Sequence, residues 1–142
     1  SKELIFYNSE AKLIITYHTD FKFPGYEFLL DIPHPNEILI KKSELEESLK
    51  LLMANLKDDK LVTINIKDKE FLISFKSTNL ECEQTIELDN EAEEVNLKLN
   101  SEYLLDAIRH MNEDKIKIKY NDKNTPLRLE SENYIGFLTL CN

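Results

Sequence analysis

Few side chains in this sequence are suited to nucleophilic, acid–base or metal chemistry, and those few are scattered. The candidates are three histidines, His18, His34 and His110, and two cysteines, Cys82 and Cys141. No histidine stands near a serine or cysteine in a motif with a known nucleophilic mechanism. No CxxC pair or His/Cys cluster has the spacing of a zinc site, and two cysteines make no disulfide framework. These residues therefore predict neither a catalytic centre nor a metal centre.

Carboxylates crowd one short segment, which holds Glu87, Asp89, Glu91, Glu93 and Glu94. Such a cluster can attract a hard cation, but it lacks the spaced ligands and the turn glycine of a calcium loop. We interpret it as a solvated loop and predict no cofactor and no metal. One alternative stays open: a small α+β binding or enzymatic domain that uses this loop or His34 as its site.

Composition limits the remaining classes of function. The chain has 142 residues, enough for one domain with a short appendage. Its net charge of −9 argues against a simple nucleic-acid binder, which needs a basic patch. With Gly25 and Gly136 as the two glycines, a Gly-rich phosphate loop is excluded. The apolar runs are too short for a transmembrane span, and no signal peptide opens the chain. Two cysteines without a disulfide framework predict a reduced, cytoplasmic setting, and the start at Ser1 suggests a fragment.

Alternating apolar residues predict a hairpin at the N-terminus. Residues 2–7 and 12–18 read as strands around a turn at 8–10. Residues 19–36 contain Pro24, Pro33 and Pro35, so we predict an extended connector with a domain boundary inside it.

A strand–helix–strand–strand–strand unit follows, and it is then repeated. In the first copy a strand at 38–40 leads to a capping box, Ser43 with Glu46, and to a helix over 43–57. Strands follow at 62–66, 71–75 and 80–88, with a tight turn predicted at Asp68-Lys69.

In the second copy, 58 residues later, a strand at 95–99 precedes Ser101 as the predicted cap of a helix that reaches Met111. Strands at 116–120, 127–129 and 134–140 complete it. Short connections favour antiparallel pairing. The pattern predicts an α+β fold with antiparallel sheets and two helices on one face.

Several motifs, taken in order, resemble the bacterial DNA polymerase III β subunit, the sliding clamp. They are Phe23-Pro24-Gly25-Tyr26, the duplicated unit, the run from Asn100 to Ala107, and Asn121-Asp122 with Thr125-Pro126-Leu127 before an apolar final strand. The resemblance implies that residues 1–22 are the last hairpin of the second clamp domain, 23–36 the interdomain connector and 37–142 the third domain. It also implies a processivity factor that is not an enzyme and forms part of a homodimeric ring around duplex DNA.

The resemblance further implies a groove for short linear motifs of the polymerase, the clamp loader and repair proteins. Its residues would be Pro24, Phe28, Leu29, Asn100, Tyr103, Asn124, Pro126, Gly136, Leu138, Thr139, Leu140 and Cys141. Leu138-Thr139-Leu140 stands where many relatives have Met-Pro-Met, and Phe28 where a basic residue is common. Both departures predict an altered peptide preference.

Two further sets of residues are candidates for contacts within the ring. Cations on or beside the two helices could face DNA: Lys41, Lys42, Lys50, Lys57 and Arg109. Acidic residues share those faces, so an ordinary mixed surface remains the alternative. The end of the first helix, Met53, Ala54 and Leu56, is the candidate ring interface, although Met53 and Leu56 also fit the core stripe. A free-standing interaction module of unrelated ancestry also remains open.

Overall fold

The chain forms two compact units, Ser1–Asp31 and Ile32–Asn142. The computed structural model describes residues 2–7 and 12–17 as backbone and residues 27–56 and 59–141 in full. The first unit contains β1 (Lys2–Tyr7) and β2 (Lys12–Tyr17), which pair antiparallel as predicted. The predicted turn at 8–10 lies outside the described residues.

A short helix, α1 (Glu27–Leu30), interrupts the segment that the sequence predicts to be extended. That prediction is wrong for these four residues because none of them is a proline, so nothing prevents a single helical turn. The turn closes where the Asp31 N–H donates to the Phe28 carbonyl at 3.3 Å.

The second unit is an α+β domain with antiparallel sheets, as predicted. In chain order its elements are β3 (Asn36–Lys41), α2 (Lys42–Met53), β4 (Leu61–Lys76), β5 (Glu81–Asn100), α3 (Ser101–Arg109), β6 (Lys115–Tyr120), β7 (Leu127–Ser131) and β8 (Tyr134–Leu138). One sheet has the order β3-β6-β7-β8, and β4 pairs with β5 in a long ribbon. Both helices bury an apolar stripe in one core, with Leu45 and Leu49 from α2 and Leu104 and Ile108 from α3.

Strand β4 is continuous, so the tight turn predicted at Asp68-Lys69 is wrong. Its first half pairs with the end of β5 and its second half with the start of β5, with register shifts around Asp68. Asp68 has a positive φ of 51°, and the buried positions change from even numbers up to Ile66 to odd numbers from Phe71. An irregularity of the β-bulge type explains that change of face without a reversal of the chain.

The acidic segment lies within strand β5 and is not a loop, so that prediction is also wrong. It spans the part of β5 that faces the irregularity in β4, between the pairs Ile66–Val95 and Glu70–Glu87. Two of its carboxylates are paired with lysines: Asp89 with Lys115 at 2.6 Å and Glu94 with Lys67 at 3.6 Å. Extended backbone with exposed charges replaces the expected solvated loop.

The two helices begin differently from what the sequence predicts. Helix α2 starts at Lys42 with Lys41 as its N-cap, no side chain caps it, and it ends at Met53 rather than at 57. Ser43 therefore lies inside the helix. At α3 the cap is Asn100, not Ser101: its Oδ1 accepts from the N–H of Glu102 at 2.9 Å and of Tyr103 at 3.4 Å. Ser101 is buried, and its Oγ donates to the Lys60 carbonyl at 2.8 Å.

The caps give a direct test of these assignments. Asn100→Ala should lower the free energy of unfolding by about 1 kcal/mol, because it removes an N-cap acceptor. Ser43→Ala should change it by less than about 0.5 kcal/mol, because Ser43 is exposed and is not the cap. Urea denaturation of both variants measures the difference. A larger loss for Ser43→Ala would restore the capping box.

Candidate functional site

The C-terminal segment lies beside the start of helix α3. The Cys141 N–H donates to the carbonyl of Lys98 at 2.7 Å, and Lys98 is two residues before the cap, Asn100. Tyr103 follows in the first turn of α3 with 61% of its surface exposed. This hydrogen bond therefore brings two parts of the predicted groove together that are about 40 residues apart in sequence.

The turn that precedes strand β7 reaches the same region. Leu127 pairs with Leu138, so Pro126, just before β7, lies at the end of the sheet where the chain leaves β8 at Thr139. The Asp122 carboxylate organises this turn by accepting from the N–H groups of Asn124 and Thr125, both at 2.9 Å. The hydrogen bond from Asn124 is the main reason why the pKa of Asp122 is lowered.

Strand β8 presents alternate side chains to two environments. Leu138, and Leu140 beyond the strand, are partly buried and pack against the core, whereas Thr139 between them is exposed. The terminal leucines thus contribute to the core and keep part of their surface accessible. The accessible surface of this segment is therefore apolar at the two leucines, with the Thr139 hydroxyl beside them.

Tyr134 belongs to this region, and sequence reasoning missed it. A Cβ placed on Gly136 would lie 2.8 Å from Cε1 and 2.9 Å from Oη of Tyr134. The tyrosine ring also stacks on His110, with ring centroids 6.2 Å apart and planes inclined by 12°. A glycine two residues after an aromatic residue on the same strand face is the feature that could have indicated such a ring.

Gly136→Ala should lower the free energy of unfolding by about 1 kcal/mol, because the added methyl group collides with the Tyr134 ring. This is near the low end of the cost of overpacking, since the atoms in the way lie at the far end of a side chain that can move. In a Tyr134→Ala background the same substitution should cost little or nothing. A double-mutant cycle by urea denaturation measures the coupling. Equal costs in both backgrounds would show that the ring does not occupy this space.

Within the second unit the structure brings most of the predicted groove residues to one region. The residues placed there are Asn100, Tyr103, Asn124, Pro126, Gly136, Leu138, Thr139, Leu140 and Cys141. Phe28, 64% exposed, and Leu29 belong to the first unit, and Pro24 lies outside the described residues. Asn100 has a role that the resemblance did not imply, because its side-chain oxygen is engaged as the helix cap.

A protein-family model described as "DNA polymerase III beta subunit, C-terminal domain" matches residues 32–137, about three quarters of the chain. The chain belongs to this family. No curated protein sequence matches it.

Solved beta subunits share its fold. The Bacillus subtilis sliding clamp superimposes with a TM-score of 0.83 at 18% identity, covering 100% of this chain and 39% of that one. The Thermotoga maritima beta subunit gives 0.80 at 19% identity, covering 97% and 41%. The Helicobacter pylori clamp, solved with a DNA ligase peptide, gives 0.81 at 16%, covering 97% and 37%. The chain thus spans about two fifths of the length of these relatives.

Carboxylates neutralise the candidate DNA-facing cations of this beta-subunit domain. Glu46 lies 2.7 Å from Lys50 in the same helix and 3.7 Å from Arg109 in α3. The hydrogen bond from Lys50 is the main reason why the pKa of Glu46 is lowered. Helices α2 and α3 together carry three cations and five carboxylates, so their combined charge is negative.

The other candidate cations are engaged or lie off the helix. Lys41 is the last residue of β3 and pairs with Glu44 at 3.2 Å, and the Lys42 ammonium donates to the Met111 carbonyl at 2.6 Å. Lys57 lies outside the described residues. Phosphate contacts from these helices would therefore require ion pairs to break.

The candidate ring interface divides into core and surface residues. Met53 and Leu56 are partly buried and pack against the core, whereas Ala54 is exposed where α2 ends. A cleft of about 530 Å³ adjoins this end and is lined in part by Leu56, Leu61, Phe75 and Leu80. Met53 and Leu56 therefore contribute to the core, and Leu56 also borders the cleft, whereas a role of these residues in a ring interface stays a prediction.

The described residues meet the requirements of neither a metal site nor a membrane-spanning helix. Among residues 27–56 and 59–141, no three His, Cys, Asp or Glu side chains are grouped so that they could hold a metal ion. No helix in the described part of the chain is long and apolar enough to cross a membrane. A depression of about 780 Å³ lies on the opposite face of the sheet from the core, around Leu39, Lys117 and Ile135.

Proposed function

We propose that this chain is a segment of a DNA polymerase processivity factor, a non-catalytic clamp subunit that acts in the cytoplasm. The family match over residues 32–137 carries the proposal. In the complete protein, the ring would be a homodimer closed around duplex DNA, with Met53, Ala54 and Leu56 contributing to its interface. The alternative of an unrelated α+β binding or enzymatic domain has no support in the family match or in the fold.

The negative helical surface is consistent with encirclement and not with tight phosphate binding. Basic side chains that release counterions give DNA affinity its strength, and here Lys50 and Arg109 are already paired with Glu46. A closed ring retains DNA by topology, so it needs no such affinity. We therefore infer that the isolated chain binds duplex DNA only weakly.

Partner proteins would insert a short peptide into the region formed by α3, the turn before β7 and the C-terminal segment. Leu138 and Leu140 offer apolar surface to leucine or phenylalanine anchors, and the exposed Tyr103 ring can cover them. The exposed Thr139 hydroxyl can donate a hydrogen bond to a glutamine side chain of the peptide or accept one from it. Polar groups of the turn that point to solvent can do the same. The Helicobacter pylori clamp with its DNA ligase peptide is a relative in which a peptide complex exists.

The test is an NMR titration of the isotope-labelled 142-residue chain with a synthetic peptide that carries glutamine followed by leucine and phenylalanine. We expect shift changes at Tyr103 and residues 138–141, and none at Leu39 or Ile135 on the far face of the sheet. A peptide of the same composition in scrambled order is the control. A folded chain without shift changes at millimolar peptide would refute the binding site and leave the fold intact.

A further inference from the structure

His34 makes two backbone contacts that a neutral imidazole cannot satisfy together. Its Nδ1 lies 2.8 Å from the carbonyl oxygen of Ile32, and its Nε2 lies 2.8 Å from the carbonyl oxygen of Pro126. A carbonyl oxygen only accepts hydrogen bonds, whereas a neutral imidazole carries a single N–H. Both contacts are hydrogen bonds only when both ring nitrogens are protonated. The neutral ring keeps one and faces the other carbonyl with a lone pair.

The described neighbours of His34 include an aromatic ring and, beyond it, an arginine. From strand β8 the Phe137 ring packs against it at 6.3 Å between centroids. From strand β7 the charged group in this cluster is Arg128, whose guanidinium lies 5.7 Å from the Phe137 ring and is paired with Glu130. Within the described residues, no carboxylate forms an ion pair with the imidazole. The two carbonyl dipoles are therefore the groups that respond to its protonation state.

The contact to Pro126 joins two parts of the domain that are far apart in sequence. His34 lies between Pro33 and Pro35, which restrict the backbone that carries it. On the other side, Asp122 holds the turn before β7 together through the N–H groups of Asn124 and Thr125. Because these hydrogen bonds hold the turn together, a hydrogen bond from His34 to the Pro126 carbonyl positions the whole turn.

We propose that His34 is a positioning residue that fixes the turn at 121–126 when both of its ring nitrogens are protonated. This inference rests on the proposed function, because Asn124 and Pro126 belong to the proposed peptide-binding region. Loss of the second ring proton removes one of these two hydrogen bonds. The turn then loses either its direct bond to His34 or the bond to the Ile32 carbonyl that holds the imidazole in place.

The first experiment follows the protons directly. The labelled chain is titrated from pH 5.5 to pH 8 while the ring nitrogens of His34 and the backbone amides of Asn124, Thr125 and Leu127 are observed by NMR. We expect the three amides to shift along the titration curve of His34 and to lose that response in His34→Gln. His110→Gln is the matched control, since His110 contacts a single carbonyl, that of Asp106 at 2.6 Å, which a neutral ring satisfies. Amides that ignore the His34 titration in the wild-type chain would overturn the proposal.

The second experiment measures the affinity of the glutamine–leucine–phenylalanine peptide at pH 6 and pH 8. The wild-type chain should bind about fivefold more weakly at pH 8, the effect of one net hydrogen bond, and His34→Gln should bind equally at both. Equal affinities at both pH values in the wild-type chain would overturn the positioning role. If the wild-type chain binds no peptide at either pH, the proposed peptide-binding site fails, whereas the amide titration still decides whether His34 holds the turn.

Discussion

Replacement of Phe71 by alanine should lower the free energy of unfolding by about 3–5 kcal/mol. Phe71 is 1% exposed and is the first core residue after the irregularity at Asp68. Its ring belongs to the core that both helices join, and truncation leaves a cavity that a close-packed core only partly closes. Urea denaturation, with the slope compared between variants to verify two-state behaviour, gives the value.

Leu72→Ala is the matched control for this prediction. Leu72 is the next residue of β4, points to the other face of the ribbon and is only partly buried. Its truncation should cost about 1 kcal/mol, because part of its side chain is already in water. Similar losses for the two variants would contradict the change of face at Asp68, on which the continuous strand depends.

The strands were predictable because their alternation is local, but their partners were not. Val62, Ile64 and Ile66 and then Phe71, Ile73 and Phe75 mark two apolar stripes, each correctly predicted as a strand. The exposed residues between them, 67–70, have the composition of a turn. Nothing local distinguishes a turn from an irregularity in one long strand, because the difference lies in the residues of β5 that they face.

At the two helix starts, tertiary contacts compete with the local capping motifs. Ser43 and Glu46 have the spacing of a capping box, but the N–H of Lys42 already bonds to the Asp114 carbonyl at 2.8 Å, so the helix begins one residue earlier. At α3, Asn100 and Ser101 are both good caps by residue type. Ser101 is buried against Lys60, which leaves Asn100 as the cap. Tertiary contacts decided both cases.

The residues of the candidate site were predicted from the family resemblance, but the contacts that they make became known only from the structure. The link between Cys141 and Lys98 and the ring of Tyr134 over Gly136 depend on contacts between separate elements, which no single-sequence pattern records. His34 was a lone histidine in a proline-rich segment. Its significance appears only with Pro126, 92 residues away.

Tyr103→Ala should weaken binding of the glutamine–leucine–phenylalanine peptide by about 10- to 100-fold. A tyrosine at the centre of a binding region commonly contributes this much, because its ring covers a large apolar area at a small cost in conformational entropy. Tyr103 is 61% exposed, so its truncation should leave the free energy of unfolding almost unchanged. Affinity is measured by NMR titration, and the unfolding curve of the variant is recorded in parallel.

Two further variants separate the contribution of the ring from that of its hydroxyl and from a general surface effect. Tyr103→Phe keeps the ring and should retain most of the affinity. Leu39→Ala removes an apolar side chain of comparable exposure, 45%, from the far face of the sheet and should not affect binding. If Tyr103→Ala binds like the wild-type chain, the peptide does not lie against the first turn of α3. The site would then have to be sought along Leu138 and Leu140 alone. If Leu39→Ala weakens binding equally, the peptide recognises exposed apolar surface without a defined groove.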